Sequence, residues 1–462
     1  MKLFAALFLT LAGSSAAASF QGNVLILVAD DLGVDQLAAY GIAPDPPSTP
    51  AIDSLAASGV LFRNAWANSL CSPTRATVQT GRYGFRTGIG SVIGPGAAAL
   101  RDWEVTLPEM LDAGTGGAYA HAAFGKWHLG PFVPSNATAG PLEAPGDAGY
   151  GFFAGTMQNL TSYYSFVEVR NGTARPSFGY ATSHTVDDVL EWTETAPEPW
   201  LAHVGFHAAH VPLNVPPAHL HGVDFSQAGI PGLDTVPYYR ATVEALDTEI
   251  GRLLEGLGDV LDETTVLFLG DNGTTKEGVA PPFDPEKNKG TLYQGGVHVP
   301  LIVTGPAVNA PGLECSALVN TTDVFATVAE LAGVDLASVV SVDRPLDSVS
   351  LVPYLHDPAA PSLRATVYAE QFHPNGFGPY ESHDRAIRGP RYKLIVKELF
   401  TPQPARTEEL YDLELDPFEL ADLLAAPGPL APPAAQAYRQ LARELEALLE
   451  PPVHTPPLVQ EQ

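Results

Sequence analysis

The chain has 462 residues and carries 24 Lys and Arg against 52 Asp and Glu, a formal charge of −28. So acidic a chain lacks the basic surface needed to release counterions from nucleic acid or to dock on anionic lipid, and neither partner is expected. Apolar residues make up 45%, enough for a large core, while two cysteines exclude a disulfide scaffold and a multi-cysteine zinc site.

Met1–Ala18 (MKLFAALFLTLAGSSAAA) has a positive start, a short apolar run and a small-residue end. This pattern predicts a signal peptide cleaved near Ala18, and hence a secreted or periplasmic protein. Asn23–Ala29 is an unbroken apolar run, as expected of a parallel strand buried on both faces. Ala118–Phe124, Trp200–Phe206, Thr264–Leu269 and Val299–Thr304 repeat that texture. Helical patterns at Ile52–Ser58, Val105–Leu111, Thr185–Trp192 and Tyr239–Leu257 fall between them. Alternating strands and helices predict an α/β fold with a large, mostly parallel sheet sandwiched by helices. The Pro- and Gly-rich stretches Pro44–Pro50, Pro131–Gly151 and Pro281–Pro285 are expected to be loops over one sheet edge. Beyond about residue 360 the texture changes. Asp384–Val396 and Glu408–Leu413 predict short antiparallel strands, and Ala434–Leu449 an amphipathic helix. The expected division is a leader (1–18), a catalytic α/β domain (19–360) and a small C-terminal α+β subdomain (361–462).

Polar residues follow the apolar runs. Asp30 and Asp31 follow the first, Lys126 and His128 the second, His207 and His210 the third, Asp271 and Asn272 the fourth. Ligands of open parallel sheets bind beyond the carboxyl ends of the strands, so these groups are expected to converge. Crowded carboxylates need a cation among them, and an all-oxygen set suits a hard ion, Ca²⁺ or Mg²⁺. Taken alone, an Asp pair equally fits a helix cap or turn. His207 is open between lining a substrate pocket and satisfying a backbone group. A secreted chain with two cysteines also admits a Cys71–Cys315 disulfide.

The segment Cys71-Ser72-Pro73-Thr74-Arg75, followed by Thr80-Gly81-Arg82, closely resembles the signature of the type I sulfatases, formylglycine-dependent enzymes of the alkaline-phosphatase-like superfamily. Further segments resemble family elements: Asn23–Gly33, Gly125–Gly130 (GKWHLG), His210-Val211-Pro212, Gly270–Gly273, Lys289–Val297, Arg388–Leu394 and Glu409–Pro417. The resemblance implies that Cys71 is converted to Cα-formylglycine by a formylglycine-generating enzyme, leaving Cys315 a spare thiol. It implies that Asp30, Asp31, Asp271, Asn272 and residue 71 hold one Ca²⁺, with Mg²⁺ as the alternative. By the same resemblance, a hydroxyl of the hydrated aldehyde attacks sulfur, the ester S–O bond breaks as the alcohol leaves in line, and a sulfated enzyme results. His128 then draws a proton from the second hydroxyl, expelling sulfate. Lys289 and His210 face the leaving oxygen, His210 as general acid, while Arg75 and Lys126 hold the hydroxyl and sulfate oxygens. Lys126, His210 and Lys289 are thus the expected substrate contacts, with His207, to which the resemblance assigns no role, a further candidate, and the expected substrate is a sulfate ester of a carbohydrate or aryl alcohol. Phosphonate monoester and phosphodiester hydrolases share this scaffold, and an inactive glycan-binding relative is a third reading.

Gln294 stands where the family has Glu, His298 where Arg is common, and Gly151-Phe152-Phe153 lacks the family's Asp. Five Asn-x-Thr sequons, at Asn136, Asn159, Asn171, Asn272 and Asn320, are expected mostly on surface loops, Asn272 excepted.

Overall fold

A computed structural model describes residues 22–449. The predicted leader Met1–Ala18 lies outside them. The strands, in chain order, are β1 (Asn23–Ala29), β2 (Gly59–Trp66), β3 (Ala120–Lys126), β4 (Phe152–Thr156), β5 (Ser165–Arg170), β6 (Thr173–Phe178), β7 (Trp200–Gly205), β8 (Thr264–Gly270), β9 (Leu301–Thr304) and β10 (Leu313–Asn320). Among the described residues they form one sheet in the order β10-β2-β9-β8-β1-β7-β3-β4-β5-β6. Its centre, β8-β1-β7-β3-β4, is parallel throughout.

The unbroken apolar character of β1 has its cause in the layers. Leu25 and Leu27 face one core with Ile52, Val189, Val243, Leu246 and Ile250. Val24, Ile26 and Val28 face the other with Val78, Met110, Leu111, Phe325 and Val328. Successive side chains alternate across a strand, so a sheet covered on both faces needs an apolar residue at every position. Helices Pro50–Ser58, Ala181–Thr193 and Val236–Leu257 cover the first face; Cys71–Thr80, Leu107–Thr115 and Asp323–Leu331 cover the second.

A second sheet of β11 (Val367–His373), β12 (Ser382–Arg388), β13 (Tyr392–Leu399) and β14 (Ala405–Asp412) is antiparallel in sequential order. Helix Pro432–Leu449 lays Leu441 and Leu445 on its outer face, against Ile387, Leu394 and Val396. Its inner face packs Ala369, Ile395 and Tyr411 on Trp66, Leu292 and Val297.

One expectation needs correcting. The run at Val299–Thr304 is the strand Leu301–Thr304, and it pairs antiparallel with both β2 and β8. Double-sided burial, rather than strand direction, made that run apolar. Of the sequons, Asn136 and Asn171 are exposed, but Asn320 is 2% exposed and donates to the Tyr368 carbonyl at 2.9 Å. A side chain so placed marks a strand end rather than a surface loop. No helix among the described residues is long and apolar enough to cross a membrane.

Candidate active site

The register sets the ends of the central strands level: Val28 lies opposite Gly205, Ala29 opposite Gly270, and Gly125 opposite Gly205. Asp30, Lys126, His207 and Asp271 therefore emerge on one edge, as the strand ends led us to expect. Two glycines make room there. A Cβ on Gly205 would lie 2.6 Å from both the Arg75 Nη1 and the Lys126 carbonyl oxygen. Gly125 has φ +72°, and its Cβ would meet the Gly205 oxygen at 2.2 Å.

Cys71 opens a helix, Cys71–Thr80, in which every residue is buried. Its Sγ is 3.5 Å from Asp30 Oδ1 and 3.6 Å from Lys289 Nζ. Burial, reinforced by Asp30, pushes the thiol up to about 12. Unmodified, residue 71 is therefore a protonated thiol and a poor nucleophile. Both cysteines are free, and Cys315 is buried within β10.

One helical turn on, Arg75 donates through Nη2 and Nε to Asp271 Oδ2 at 2.9 and 3.2 Å, and through Nη1 to the Lys126 carbonyl at 2.9 Å. Lys126 Nζ donates to Asp30 Oδ2 at 2.5 Å, and Lys289 pairs with Asp31. Asp31 receives the Asn272 amide at 2.9 Å, and its own N–H donates to Asp271 Oδ1 at 3.1 Å. Asp30, Asp31, Asp271, Asn272, Arg75 and Lys126 are each at most 1% exposed.

Three buried carboxylates thus face three cations. Burial would raise the Asp30 carboxyl, but Lys126, His210, Arg75 and Lys289 together hold it well below the usual range. Burial and the neighbouring Asp30 push Asp271 up to about 7, against the attraction of Arg75. A set with one carboxyl so raised has room for a further positive charge. Donor atoms of Asp30, Asp31, Cys71 and His210 lie within 4.8 Å of one another. Asn272 Oδ1 is buried and finds no hydrogen-bond partner among the described residues. These residues fit a divalent cation. His210 joins the cluster beyond the expected ligand set, and Asp271 is tied to it through Arg75 and the Asp31 N–H.

His128 is 1% exposed, and burial together with Lys126 and Arg75 holds its imidazole well below the usual range. It is a neutral ring, with Nδ1 unpaired. His210 is also lowered, first by burial; its Nδ1 is 2.5 Å from the Val211 carbonyl and its Nε2 3.9 Å from Asp31. His207 neither pairs with a backbone group nor stands open: it is 5% exposed, and its Nε2 is 2.8 Å from Thr156 Oγ1. That hydroxyl donates onward to the Gln158 carbonyl at 2.8 Å, so His207 Nε2 carries the proton. Among the described residues only four non-glycine residues have positive φ, and two of them are Asp31 (+63°) and His128 (+60°). Left-handed backbone at such residues is strain kept by its surroundings, typical of functional positions.

Some supports escaped the linear pattern. The Tyr163 hydroxyl lies 2.7 Å from both the His207 and His210 carbonyl oxygens. Tyr239 donates to the Asp31 carbonyl at 2.6 Å. Each is one member of a Tyr-Tyr pair, Tyr163-Tyr164 and Tyr238-Tyr239, and no spacing distinguishes it from a core aromatic.

Comparison with known proteins gives the family. The sulfatase family model matches residues 22–334, and the model described as N-sulphoglucosamine sulphohydrolase, C-terminal, matches 287–450. Arylsulfatase A of Bos taurus is 31% identical, over 96% of this chain and 90% of that protein. Among solved structures, BT4656 in complex with its substrate D-glucosamine-2-N,6-O-disulfate has a TM-score of 0.70 at 19% identity, covering 93% of this chain and 97% of that one. The phosphonate monoester hydrolase of Agrobacterium radiobacter has a TM-score of 0.67 at 20% identity, covering 93% and 95%. By family match, length of alignment and fold, the chain belongs to the sulfatase family of sulfuric-ester hydrolases.

Proposed function

We propose that this protein is an exported sulfatase that hydrolyses a sulfate ester of a carbohydrate or aryl alcohol, using formylglycine at position 71 and one Ca²⁺. The observation that carries the reading is the setting of residue 71, buried at the start of its helix with Lys289 and Asp30 at 3.6 and 3.5 Å. When bound by Asp30, Asp31, Asp271, Asn272 and residue 71, the cation supplies Lewis acidity toward sulfate oxygens and the attacking hydroxyl. Arg75 orients Asp271 and places one fixed positive charge beside the nucleophile. Lys126 and Lys289 donate to sulfate oxygens, and Lys289 stays protonated because Asp31 outweighs the effect of its burial. His128, held neutral, accepts a proton at the residue 71 side when sulfate departs. His210, whose Nε2 faces the site, hands a proton to the leaving oxygen in its protonated form. His207 holds Thr156 and the end of β4 beside these groups.

The same reading takes Met1–Ala18 as an export leader and residues 361–462 as a subdomain, each sheet having its own core. The test is the mass of the peptide containing residue 71 from a host that possesses a formylglycine-generating enzyme. An aldehyde mass is expected; an unmodified thiol in active enzyme overturns the mechanism. Rates on paired aryl sulfate and aryl phosphodiester esters separate the sulfatase from the phosphonate hydrolase reading, and faster diester turnover favours the latter.

A further inference from the structure

Two side chains of the proposed site reach solvent. Of its cationic and imidazole side chains, Arg75, Lys126 and His128 are sealed, while His210 and Lys289 keep 13% and 17% of their side-chain surface. Those two face the leaving oxygen, so the alcohol part of the ester must extend past them. The wall on that side is built by chain that leaves the site directly. Val211, Pro212 and Leu213 follow His210, and Glu277 lies five residues after Asn272. With Pro231 and Thr235 they line a cavity of about 330 Å³. The segment closing it carries exposed Ile230, Leu233 and Val236, at 65%, 85% and 56%. No Lys or Arg lines this cavity among the described residues, and its one charged side chain is the carboxylate of Glu277.

A polysulfated sugar places further anions beyond the scissile ester and needs cations there to hold them. Here it would meet an apolar wall and a carboxylate inside a protein of charge −28. We propose that this cavity is the leaving-group subsite, and that it selects monosulfated esters of uncharged, largely apolar alcohols against polysulfated saccharides. Val211, Pro212 and Leu213 supply the contact area, and Glu277 repels a second sulfate. This assignment rests on the sulfatase reading above and deepens it.

Two measurements test it. In the first, mature enzyme is assayed on nitrophenyl sulfate, methylumbelliferyl sulfate and a disulfated glucosamine. The expected order of kcat/KM is methylumbelliferyl, then nitrophenyl, then the disulfated sugar. Leu213→Asp is expected to lower the methylumbelliferyl value about tenfold, mainly through KM, as the loss of an apolar pocket contact does. Glu277→Lys, at a partly exposed position with little bearing on folding, is expected to raise the disulfated sugar relative to the aryl esters. In the second, free methylumbelliferone is titrated by fluorescence into Cys71→Ala protein, which needs neither aldehyde nor metal. Binding that weakens in Leu213→Asp is expected. Aryl-to-saccharide ratios unmoved by both variants overturn the subsite while leaving the sulfatase reading standing. Absence of turnover on every sulfate ester by aldehyde-bearing enzyme overturns both.

Discussion

At the level of single residues, the buried Asn272 carbonyl oxygen suits the proposed cation. It has no partner among the described residues at 0% exposure, whereas the Asn272 amide already donates to Asp31. If the proposed Ca²⁺ site is right, Asn272→Leu is expected to weaken Ca²⁺ binding by about 10- to 100-fold, read by calorimetric titration of chelator-stripped protein. His128→Asn is expected to lower kcat by roughly 10²–10⁴-fold, the usual worth of a positioned proton acceptor, with KM little changed. Away from the site, Asp247 accepts the Ala51 and Ile52 N–H groups at 3.1 and 2.8 Å, and burial pushes it up to about 6. A folded-state value above the unfolded one favours the protonated form. Its contribution is therefore full below about pH 4 and is lost as pH rises through 6. Urea unfolding of the wild type should show stability falling over that window relative to Asp247→Asn; parallel curves refute the assignment.

The elements that support the site lie far from it in sequence. Glu419, buried and at φ +59°, joins the C-terminal part to the loop carrying Lys289. Its carboxylate pairs with Lys393 at 2.6 Å and accepts the Gln294 N–H, while its carbonyl accepts Lys287. Gln294 in turn accepts the Trp66 indole N–H at 3.0 Å, five residues before Cys71. The substitution of Gln for the family's Glu at 294 is thus absorbed by a neutral hydrogen bond, and the carboxylate facing Lys393 comes from Glu419. His298, in place of Arg, is neutral and bonds the Arg63 carbonyl at 2.9 Å. Glu419→Ala leaves Lys393 buried without its counter-charge, an expected cost of about 3–5 kcal/mol. A lower Tm together with a lower kcat is expected. The paired change Lys393→Met with Glu419→Gln should restore most of the Tm.

For the whole molecule, the charge of −28 opposes an anionic substrate at long range, while Arg75, Lys126 and Lys289 attract it at the site. Salt screens the first more than the second, because exposed charges lose their reach as the Debye length falls to about 3 Å at 1 M and buried ones do not. We expect kcat/KM for an anionic ester to hold or rise with added NaCl; collapse at moderate salt would show that steering toward the site dominates. The acidic surface then suits a saline setting.

Sequence alone determined the central strands β1, β3, β7 and β8, because burial on both faces leaves apolar runs such as Asn23–Ala29 that local composition displays. It also placed Asp30, Lys126, His207 and Asp271 at strand ends, and those ends are level because parallel pairing fixes their register. Some strand boundaries shifted. β3 runs to Lys126 rather than Phe124, because Gly125 and Lys126 still pair with β4. Strands β2, β10 and β4–β6 and the helix at Cys71 were not foreseen: their apolar runs are short or interrupted, and a helix whose every residue is buried has no polar face to give it a period. Only the tertiary structure decided that His207 bonds Thr156, that Tyr163 and Tyr239 brace the site, that Glu419 meets Lys393, and that Val211, Pro212 and Leu213 share a cavity with Glu277. Those facts depend on contacts between residues dozens to hundreds of positions apart, and no local pattern encodes which distant side chain will arrive.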